Sequence, residues 1–338
     1  MTTPEPAPRI LFPHIAKTGG TSVLYHFRNH FGPEGMFVYG PHNRCKRFFG
    51  GLAQLEELSP EERASARVIQ GHGVSQEVIG LMNDPAIRLM IVLREPVSLT
   101  RSRYNQRVNA AERKDMGISS EKFMRKLARS AMTRKILDEF PDFADPDAPT
   151  PGQKAISVLR KFDYVVTTTE MATQLQPMFA RYGLPQDMER RRVAEKKAVL
   201  EATDEEIRAV NADDIALHDA FNRTVESDGS SHNAAGFDAE GKAQVVQSLI
   251  DRLAGDAETL REHCYKVLAY ALCVELRAEA ALALMDEAPE AVPVADLASF
   301  RPILEANWTR KREGLSEAGA KRADEIRKRT LMKHRRSA

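Results

Sequence analysis

The sequence has few cysteines, no long apolar run and almost no net charge. Its three cysteines, Cys45, Cys264 and Cys273, are odd in number and form no CxxC pair, which argues against a disulfide framework and against a zinc site. No apolar run approaches the roughly 18 to 20 residues that cross a bilayer. Lysine plus arginine number 49 and aspartate plus glutamate 48, so the net charge of +1 gives no overall attraction to nucleic acid or membranes. Electrostatic recognition is therefore expected to be local.

The beginning of the chain lacks the features of a secretory signal. MTTPEPAPRI has neither a basic start nor an apolar stretch, so we expect a soluble, cytoplasmic protein whose residues 1–8 are disordered. A length of 338 residues with 42% hydrophobic residues fits one large globular domain or two smaller ones.

Short apolar segments alternate with helical patterns in the first half of the chain. This alternation is typical of βαβ units around a parallel sheet. The patterns predict strands at residues 9–12, 67–70, 89–93 and 165–169, and helices at 21–31, 97–111 and 121–140. Pro96 suits the start of the second of these helices. Residues beyond 186 read as helical apart from a polar break at 226–233.

The segment HIAKTGGTS, residues 14–22, joins the first predicted strand to the first predicted helix. Glycines let backbone N–H groups approach an anion, a helix start offers a positive dipole end, and hydroxyls add donors. In the common nucleotide loop, GxxxxGK[ST], the lysine follows the glycines, whereas here it precedes them. The segment therefore predicts an anion site of a different kind, formed by Lys17, Thr18, Gly19, Gly20, Thr21 and Ser22.

A second anion site is predicted where the strand at 89–93 ends. Arg94 stands at the place where a P-loop phosphotransferase has a carboxylate that helps to hold magnesium. An arginine binds anions, so no metal site is predicted. Ser102 follows eight positions later in the expected helix, with Ser98 one turn before it on the same face. We expect Arg94 and Ser102 to bind a second phosphate.

At these residues the sequence resembles the sulfotransferases that use 3′-phosphoadenosine 5′-phosphosulfate (PAPS), in particular the carbohydrate branch related to heparan sulfate 2-O-sulfotransferase. HIAKTGGTS is similar to the family's 5′-phosphosulfate loop, and REPVSLTRSRYNQ to its 3′-phosphate segment. FDYVVTTTE and ADDIALHDAF are similar to two later segments, so the resemblance runs from about residue 9 to residue 221. Ala16 stands where the family often has proline, and His218 where it has tyrosine.

The resemblance implies a fold class, a cofactor and an activity. The expected fold is α/β, a P-loop-NTPase-like three-layer fold with a central parallel sheet flanked by helices. PAPS would be the co-substrate, and an acceptor hydroxyl would attack its sulfur in line without a metal. Lys17 would stabilise charge on the bridging oxygen. His72, in a Gly-His pair like the family's catalytic one, is the expected general base, and His14 is the second choice.

The acceptor is expected to be a carbohydrate or another hydroxyl-bearing molecule. Residues 101–135 hold eleven Lys/Arg against three Asp/Glu, and Lys122, Arg125, Lys126 and Arg129 recur at helical spacing. Such a stripe fits an anionic glycan, and an ordinary solvated helix face fits it as well. Residues 111–153 are expected to form an acceptor-facing insertion within an α/β domain at 9–225.

The remaining residues, 235–338, are predicted to form a helical C-terminal extension. Its last part, 321–336, holds eight Lys/Arg and two Asp/Glu, a basic tail that fits a solvated helix end. A nucleic-acid partner is not expected, because the tail lacks interleaved aromatic residues. Two alternatives to the sulfotransferase remain: a P-loop kinase or NTPase, and a non-catalytic nucleotide-binding scaffold.

Overall fold

A computed structural model describes most of the chain. The described residues are 9–32, 35–38, 65–112, 118–189, 198–222, 224–227, 230–233, 236–253, 256–274, 276–292 and 296–337. Residues 1–8, expected to be disordered, and Cys45 lie outside them. Cys273 is buried, and burial raises the pKa of its thiol to about 11.

The core of the fold is a sheet with parallel strands. Its strands are β1 (Ile10–Pro13), β2 (Met36–Val38), β3 (Val68–Gly71), β4 (Arg88–Leu93) and β5 (Tyr164–Thr167), in the order β2-β3-β1-β4-β5. β1 pairs in parallel with β4, and β4 with β5. The start of β3 contacts the start of β1, and its end contacts the residue that begins the helix after β1. The prediction of an α/β protein with a central parallel sheet flanked by helices is confirmed.

Both faces of the sheet are buried. Alternate residues, among them Phe12, Met90 and Val92, form one core with α1 (Gly20–Phe31) and α7 (Met171–Arg181). Because successive strand side chains point to opposite faces, Leu11 and its counterparts on β4 face the other side, and they too are buried. This pattern explains why the strands read as continuous apolar runs in the sequence.

The helix after β4 begins as the sequence predicts. It is α3 (Pro96–Glu112), with Pro96 as its first residue. The carboxylate of Glu95 accepts the backbone N–H groups of Val97 and Ser98 at 3.0 and 2.7 Å, and so caps the helix.

The prediction of a single helix at 121–140 is wrong. The segment forms α4 (Ser120–Arg125) and α5 (Ala131–Glu139), separated at Ser130 by a backbone φ of 43°. α5 starts there because both carboxylate oxygens of Asp214 accept N–H groups of its first turn, at Met132 and Thr133. Asp214 is 82 residues distant from Met132 in the sequence, so the local pattern holds no sign of this break.

The remaining described elements follow in chain order. They are α2 (Glu77–Met82), a 3₁₀ turn (Pro141–Phe143), α6 (Pro151–Leu159), α8 (Asp204–Val210), α9 (Ala212–Phe221), β6 (Thr224–Ser227), β7 (Ser230–Asn233), α10 (Ala239–Leu253), α11 (Ala257–Val274), α12 (Ala278–Glu287), a 3₁₀ turn (Pro289–Ala291), α13 (Leu297–Glu313) and α14 (Glu317–Ser337). The polar break at 226–233 is an antiparallel pair of strands, so the chain beyond residue 186 is not wholly helical.

The chain divides into two compact units. The first comprises the described residues within Met1–Phe37, Arg67–Gln70 and Asp84–Ser248, and the second those within Val38–Ala66, Gly71–Asn83 and Leu249–Ala338. The division therefore falls inside α10. The basic tail is α14, whose exposed residues include most of its lysines and arginines. Among the described helices, none combines the length and the apolar character that crossing a membrane requires.

Candidate anion-binding site

The segment after β1 is a loop with two residues in the left-handed backbone region. Lys17 has a φ of 74° and Gly19 a φ of 89°. Glycine adopts this region freely, but a residue with a Cβ is strained there by roughly 1 to 2 kcal/mol. Lys17 is therefore held in this conformation by its surroundings.

Two neighbouring strands hold consecutive carbonyl groups of this loop. Arg94, which follows β4, donates from Nη1 to the carbonyl oxygen of Lys17 at 3.0 Å. Thr168, which follows β5, donates from Oγ1 to the carbonyl oxygen of Thr18 at 2.9 Å. In a planar trans peptide the N–H points away from the C=O, so the N–H of Gly19 points away from Thr168.

The helix that follows the loop starts without a side-chain cap. Gly19 is the N-cap of α1 and has no side chain to accept an N–H of the first turn. Ser119, Thr150, Thr203 and Asp296 cap four other described helices in this way, whereas the N-cap residues of α2, α5, α7, α9 and α12 also make no such bond. A left-handed residue followed by a helical one turns successive N–H groups toward one point, which makes a concave anion site. The start of α1 therefore has the geometry to bind an anion with N–H groups that need an acceptor.

The hydroxyl residues of the loop differ in burial. Thr18 is fully buried, and its Oγ1 donates to the carbonyl oxygen of Ile15 at 2.9 Å, so it stabilises the turn. Ser22 is 5% exposed, and its N–H donates to the carbonyl of Gly19. Thr21 is only half-buried. Of the three hydroxyls, that of Thr21 is the most open to a ligand.

His14 packs directly against the first residue of α1. A Cβ placed on Gly20 would lie 2.5 Å from Cδ2 and 2.6 Å from Nε2 of the His14 ring. Glycine is therefore required at position 20 for two reasons: it leaves room for the His14 ring, and it lets an anion approach the backbone N–H. This contact makes His14 a residue that shapes the loop.

Arg94 is half-buried at the end of β4. Burial lowers the pKa of its guanidinium below the ordinary value, and neighbouring Glu95 opposes that shift, so the group stays charged at neutral pH. Ser102 lies seven residues into α3 and is half-buried, and among the described residues no hydrogen bond joins it to Arg94. The structure thus brings Arg94 to the loop and leaves its pairing with Ser102 a prediction.

β3 contributes Gln70 to the loop region. Its Nε2 donates to the carbonyl of Gly20 at 3.3 Å, while its buried Oε1 has no hydrogen-bond partner among the described residues. His72, the expected base, is half-buried and comes directly after β3. It belongs to the second compact unit, whereas Lys17 and Arg94 belong to the first. The role of His72 stays a prediction.

Sequence reasoning missed Thr168 and Gln70. The sequence pattern predicts a strand that continues to Thr169, whereas β5 ends at Thr167. Because parallel strands end at the same edge of a sheet, an earlier strand end would have placed Thr168 beside the loop and Arg94. Gln70 gave no signal, since one amide at a strand end is unremarkable in sequence.

The basic stripe does not lie on one helix. Lys122 and Arg125 belong to α4, whereas Lys126 and Arg129 follow its end. All four are exposed, and in the described part of the chain none has a carboxylate partner. By contrast, Arg101 pairs with Asp204 at 2.7 Å. The four residues form an exposed cationic segment, called here the 122–129 segment.

A small apolar core fixes this segment to α3. Tyr104 of α3 meets Phe123 of α4 edge-on, with 5.1 Å between ring centroids, and Val97, Leu200 and Ile207 complete the cluster. Arg107 lies over the Phe123 ring at 5.7 Å. Because α3 begins two residues after Arg94, the segment packs on the helix that directly follows the second anion-binding residue.

No group of three His, Cys, Asp or Glu side chains within the described residues is arranged to hold a metal ion. Comparisons with protein families, with curated proteins and with solved structures found no match to this chain.

Proposed function

We propose that this protein is a PAPS-dependent sulfotransferase with a P-loop-like fold, which transfers a sulfuryl group to a hydroxyl of a carbohydrate. The observation that carries the proposal is the hydrogen bond from Arg94 to the Lys17 carbonyl. It joins a cationic residue at the end of β4 to an uncapped helix start after β1. Two neighbouring anion-binding groups suit a nucleotide with phosphates on both sides of its ribose.

The strand order supports a ligand at this edge. β3 and β4 lie on opposite sides of β1, so the order of strands reverses there. In open parallel sheets, ligands bind in the crevice at the carboxyl ends of the strands beside such a reversal. The loop after β1 and Arg94 after β4 line that edge.

Each loop group has a role in this proposal. The N–H groups of Gly19, Gly20 and Thr21 bind the 5′-phosphosulfate, and the Lys17 ammonium stabilises charge on the bridging oxygen. Arg94, with Ser102, binds the 3′-phosphate. Thr18 and His14 support the loop from behind.

In the reaction, the acceptor oxygen forms a bond to sulfur while the bond from sulfur to the bridging phosphate oxygen breaks. 3′-Phosphoadenosine 5′-phosphate leaves with the electron pair of that bond. The acceptor proton passes to a general base, for which the resemblance indicates His72.

A P-loop kinase is the alternative function, and the end of β4 argues against it. The carboxylate nearest that strand end in sequence is Glu95, and both of its oxygens accept N–H groups of α3. This leaves Glu95 engaged as a helix cap, so it is a poor substitute for the aspartate that helps to hold magnesium in P-loop phosphotransferases.

Calorimetry with 3′-phosphoadenosine 5′-phosphate, ADP and ATP tests the proposal. The bisphosphate should bind at least tenfold more tightly than ADP, and Arg94→Ala should remove this preference. Arg101→Ala is the matched control, because Arg101 is an exposed arginine of α3 whose pair with Asp204 contributes little. If ATP, which has no 3′-phosphate, binds as tightly as 3′-phosphoadenosine 5′-phosphate, the proposal is refuted.

We further propose that the acceptor is anionic and contacts the 122–129 segment. Its four exposed cations have no carboxylate partner among the described residues, so an anionic chain can bind them without breaking an ion pair. Replacing Arg125 and Lys126 with glutamate should raise the KM for a uronate-containing oligosaccharide and leave nucleotide affinity unchanged. An unchanged KM at low salt would contradict this acceptor class.

A further inference from the structure

Thr168 connects the two anion-binding segments through one side chain. Its Oγ1 lies 2.9 Å from the carbonyl oxygen of Thr18 and 2.9 Å from that of Leu93. Thr18 belongs to the loop, and Leu93 directly precedes Arg94. The hydroxyl has one proton, so it is shared between the two oxygens or given to one of them, and a single side chain at the end of β5 lies within hydrogen-bond distance of both segments.

The two carbonyl groups depend on this hydroxyl to different degrees. Leu93 also accepts the backbone N–H of Thr168 at 2.8 Å. The Thr18 carbonyl has no other donor among the described residues, and Thr18 is fully buried. Loss of the hydroxyl would thus leave a buried carbonyl without a donor, which the loop can relieve only by moving.

Such a movement would change the direction of a ligand-binding group. The Thr18 carbonyl and the Gly19 N–H belong to one rigid peptide plane, so tilting one tilts the other. Arg94 is held separately by β4, because Leu93 pairs with Thr167 in the sheet. Without the Thr168 hydroxyl, Arg94 stays joined to the loop at the Lys17 carbonyl, but the Thr18–Gly19 peptide loses its fixed position relative to Arg94.

We propose that Thr168 is a positioning residue that sets the distance between the N–H of the Thr18–Gly19 peptide and Arg94, and thereby selects nucleotides with two phosphates over those with one. The proposal rests on the proposed function, because it takes the two segments to bind two groups of one ligand. Thr168 itself binds neither group.

The neighbouring residue offers a matched control. Thr167 is fully buried, and its Oγ1 has no hydrogen-bond partner in the described part of the chain. Threonine and valine are nearly isosteric, so Thr167→Val and Thr168→Val remove the same group at adjacent positions. Only the second removes a hydrogen bond to the loop. Thr168→Ser keeps the hydroxyl and loses a methyl group.

The test is calorimetry of the full-length protein with adenosine 3′,5′-bisphosphate, adenosine 5′-monophosphate and adenosine 3′-monophosphate. Thr168→Val should weaken bisphosphate binding about tenfold, as expected for one lost hydrogen bond, and change binding of each monophosphate less than threefold. Thr168→Ser and Thr167→Val should bind all three as the unmodified protein does. The urea midpoint should fall for Thr168→Val and not for Thr167→Val.

Other outcomes distinguish a failure of the positioning role from a failure of the proposed function. If the unmodified protein does not prefer the bisphosphate, the proposed function fails and the selectivity role fails with it. If it does, but Thr168→Val weakens all three ligands equally, Thr168 supports the loop locally and does not set a distance. If Thr168→Val binds the bisphosphate normally, the positioning role is wrong while the proposed function stands.

Discussion

The guanidinium of Arg94 and the carbonyl of Lys17 lie 3.0 Å apart, although 77 positions separate the two residues in the sequence. The bond helps to hold Lys17 in its left-handed conformation. It occupies one of the five N–H donors of the guanidinium, and no described residue accepts from the others. Arg94 can therefore hold the loop and bind an anion at the same time.

Arg94→Lys tests this double role. A lysine keeps the charge but cannot offer a planar set of donors to the loop and to a phosphate together. We expect affinity for 3′-phosphoadenosine 5′-phosphate to fall about ten- to a hundredfold, corresponding to about 1.4 to 2.7 kcal/mol. Arg101→Lys, measured in the same calorimeter, should change the affinity less than twofold. An Arg94→Lys protein that binds 3′-phosphoadenosine 5′-phosphate as tightly as the unmodified protein would show that a positive charge alone is sufficient for binding.

Gly20→Ala should destabilise the protein although alanine favours helices. The helix preference is worth about 1 kcal/mol, but the new Cβ would overlap the His14 ring, and such overpacking costs about 1 to 3 kcal/mol. Urea denaturation should show a net loss. Gly319→Ala in α14 is the control, since its Cβ would meet only ordinary contacts at 3.4 Å, and it should raise the unfolding free energy. Adding His14→Ala to Gly20→Ala should restore part of the loss.

His72→Ala tests the assignment of the general base. General-base catalysis contributes about 10² to 10⁴ in rate, so kcat for sulfuryl transfer should fall by that factor. Binding of 3′-phosphoadenosine 5′-phosphate should be unchanged, because the proposed nucleotide contacts come from the loop and Arg94. His14→Ala is the comparison, and it should weaken nucleotide binding instead. A His72→Ala protein with unchanged kcat would remove this histidine from the mechanism.

His26 predicts a loss of stability in mild acid. It is 8% exposed and stacked on Phe179 at 4.3 Å. Burial, aided by the positive charge of nearby His30, lowers its pKa below 6.5. The unfolded chain therefore takes up a proton that the folded chain resists as the pH falls through 6.5, and stability decreases below that pH by up to about 1.4 kcal/mol per pH unit.

The control for this titration is His26→Phe, which keeps a ring against Phe179 and cannot be protonated. Urea unfolding between pH 7.5 and 5.5 should give a smaller slope for the variant. The slope should not vanish, because burial also lowers the pKa of His218. Parallel curves for the two proteins would contradict the argument.

The order of elements around the site was predictable because its signals are local. β1, the loop, α1, β4 and Pro96 each follow from apolar runs and turn residues within a few positions. The contact of His14 with Gly20 was not predictable, although the loop was, because a ring packed on a glycine has no sequence pattern. The break between α4 and α5 was missed for a similar reason, since Asp214 caps α5 from far along the chain.

The same distinction applies to the candidate residues. Arg94 was recognisable because a cation replaced an expected carboxylate at a strand end. Thr168 was overlooked because three threonines in a row favour a strand equally at each position. The role of Thr168 depends on where β5 ends, and pairing with β4 determines that end. It also depends on which carbonyl groups lie within reach of the Thr168 hydroxyl.

Lys242→Met should destabilise the protein strongly at the opposite edge of the sheet. The Lys242 ammonium donates to Asp163 at 2.6 Å and to the carbonyl of Ile87 at 2.8 Å, and Asp163 also accepts from Arg88 at 2.8 Å. Lys242 and Asp163 are both nearly buried. Removing one partner of a buried pair costs about 3 to 5 kcal/mol, and Arg88 should keep the loss near the lower value.

Lys266→Met provides the matched control for this loss. Lys266 pairs with Glu262 at 2.8 Å on an exposed helix surface, and such pairs contribute less than about 0.5 kcal/mol. Urea denaturation of both variants should therefore give a difference of more than 2 kcal/mol in unfolding free energy. Similar losses would mean that water reaches Asp163 and screens its pair with Lys242. A large loss for Lys242→Met alone would show that the first part of α10 is held to the strands through a buried charge.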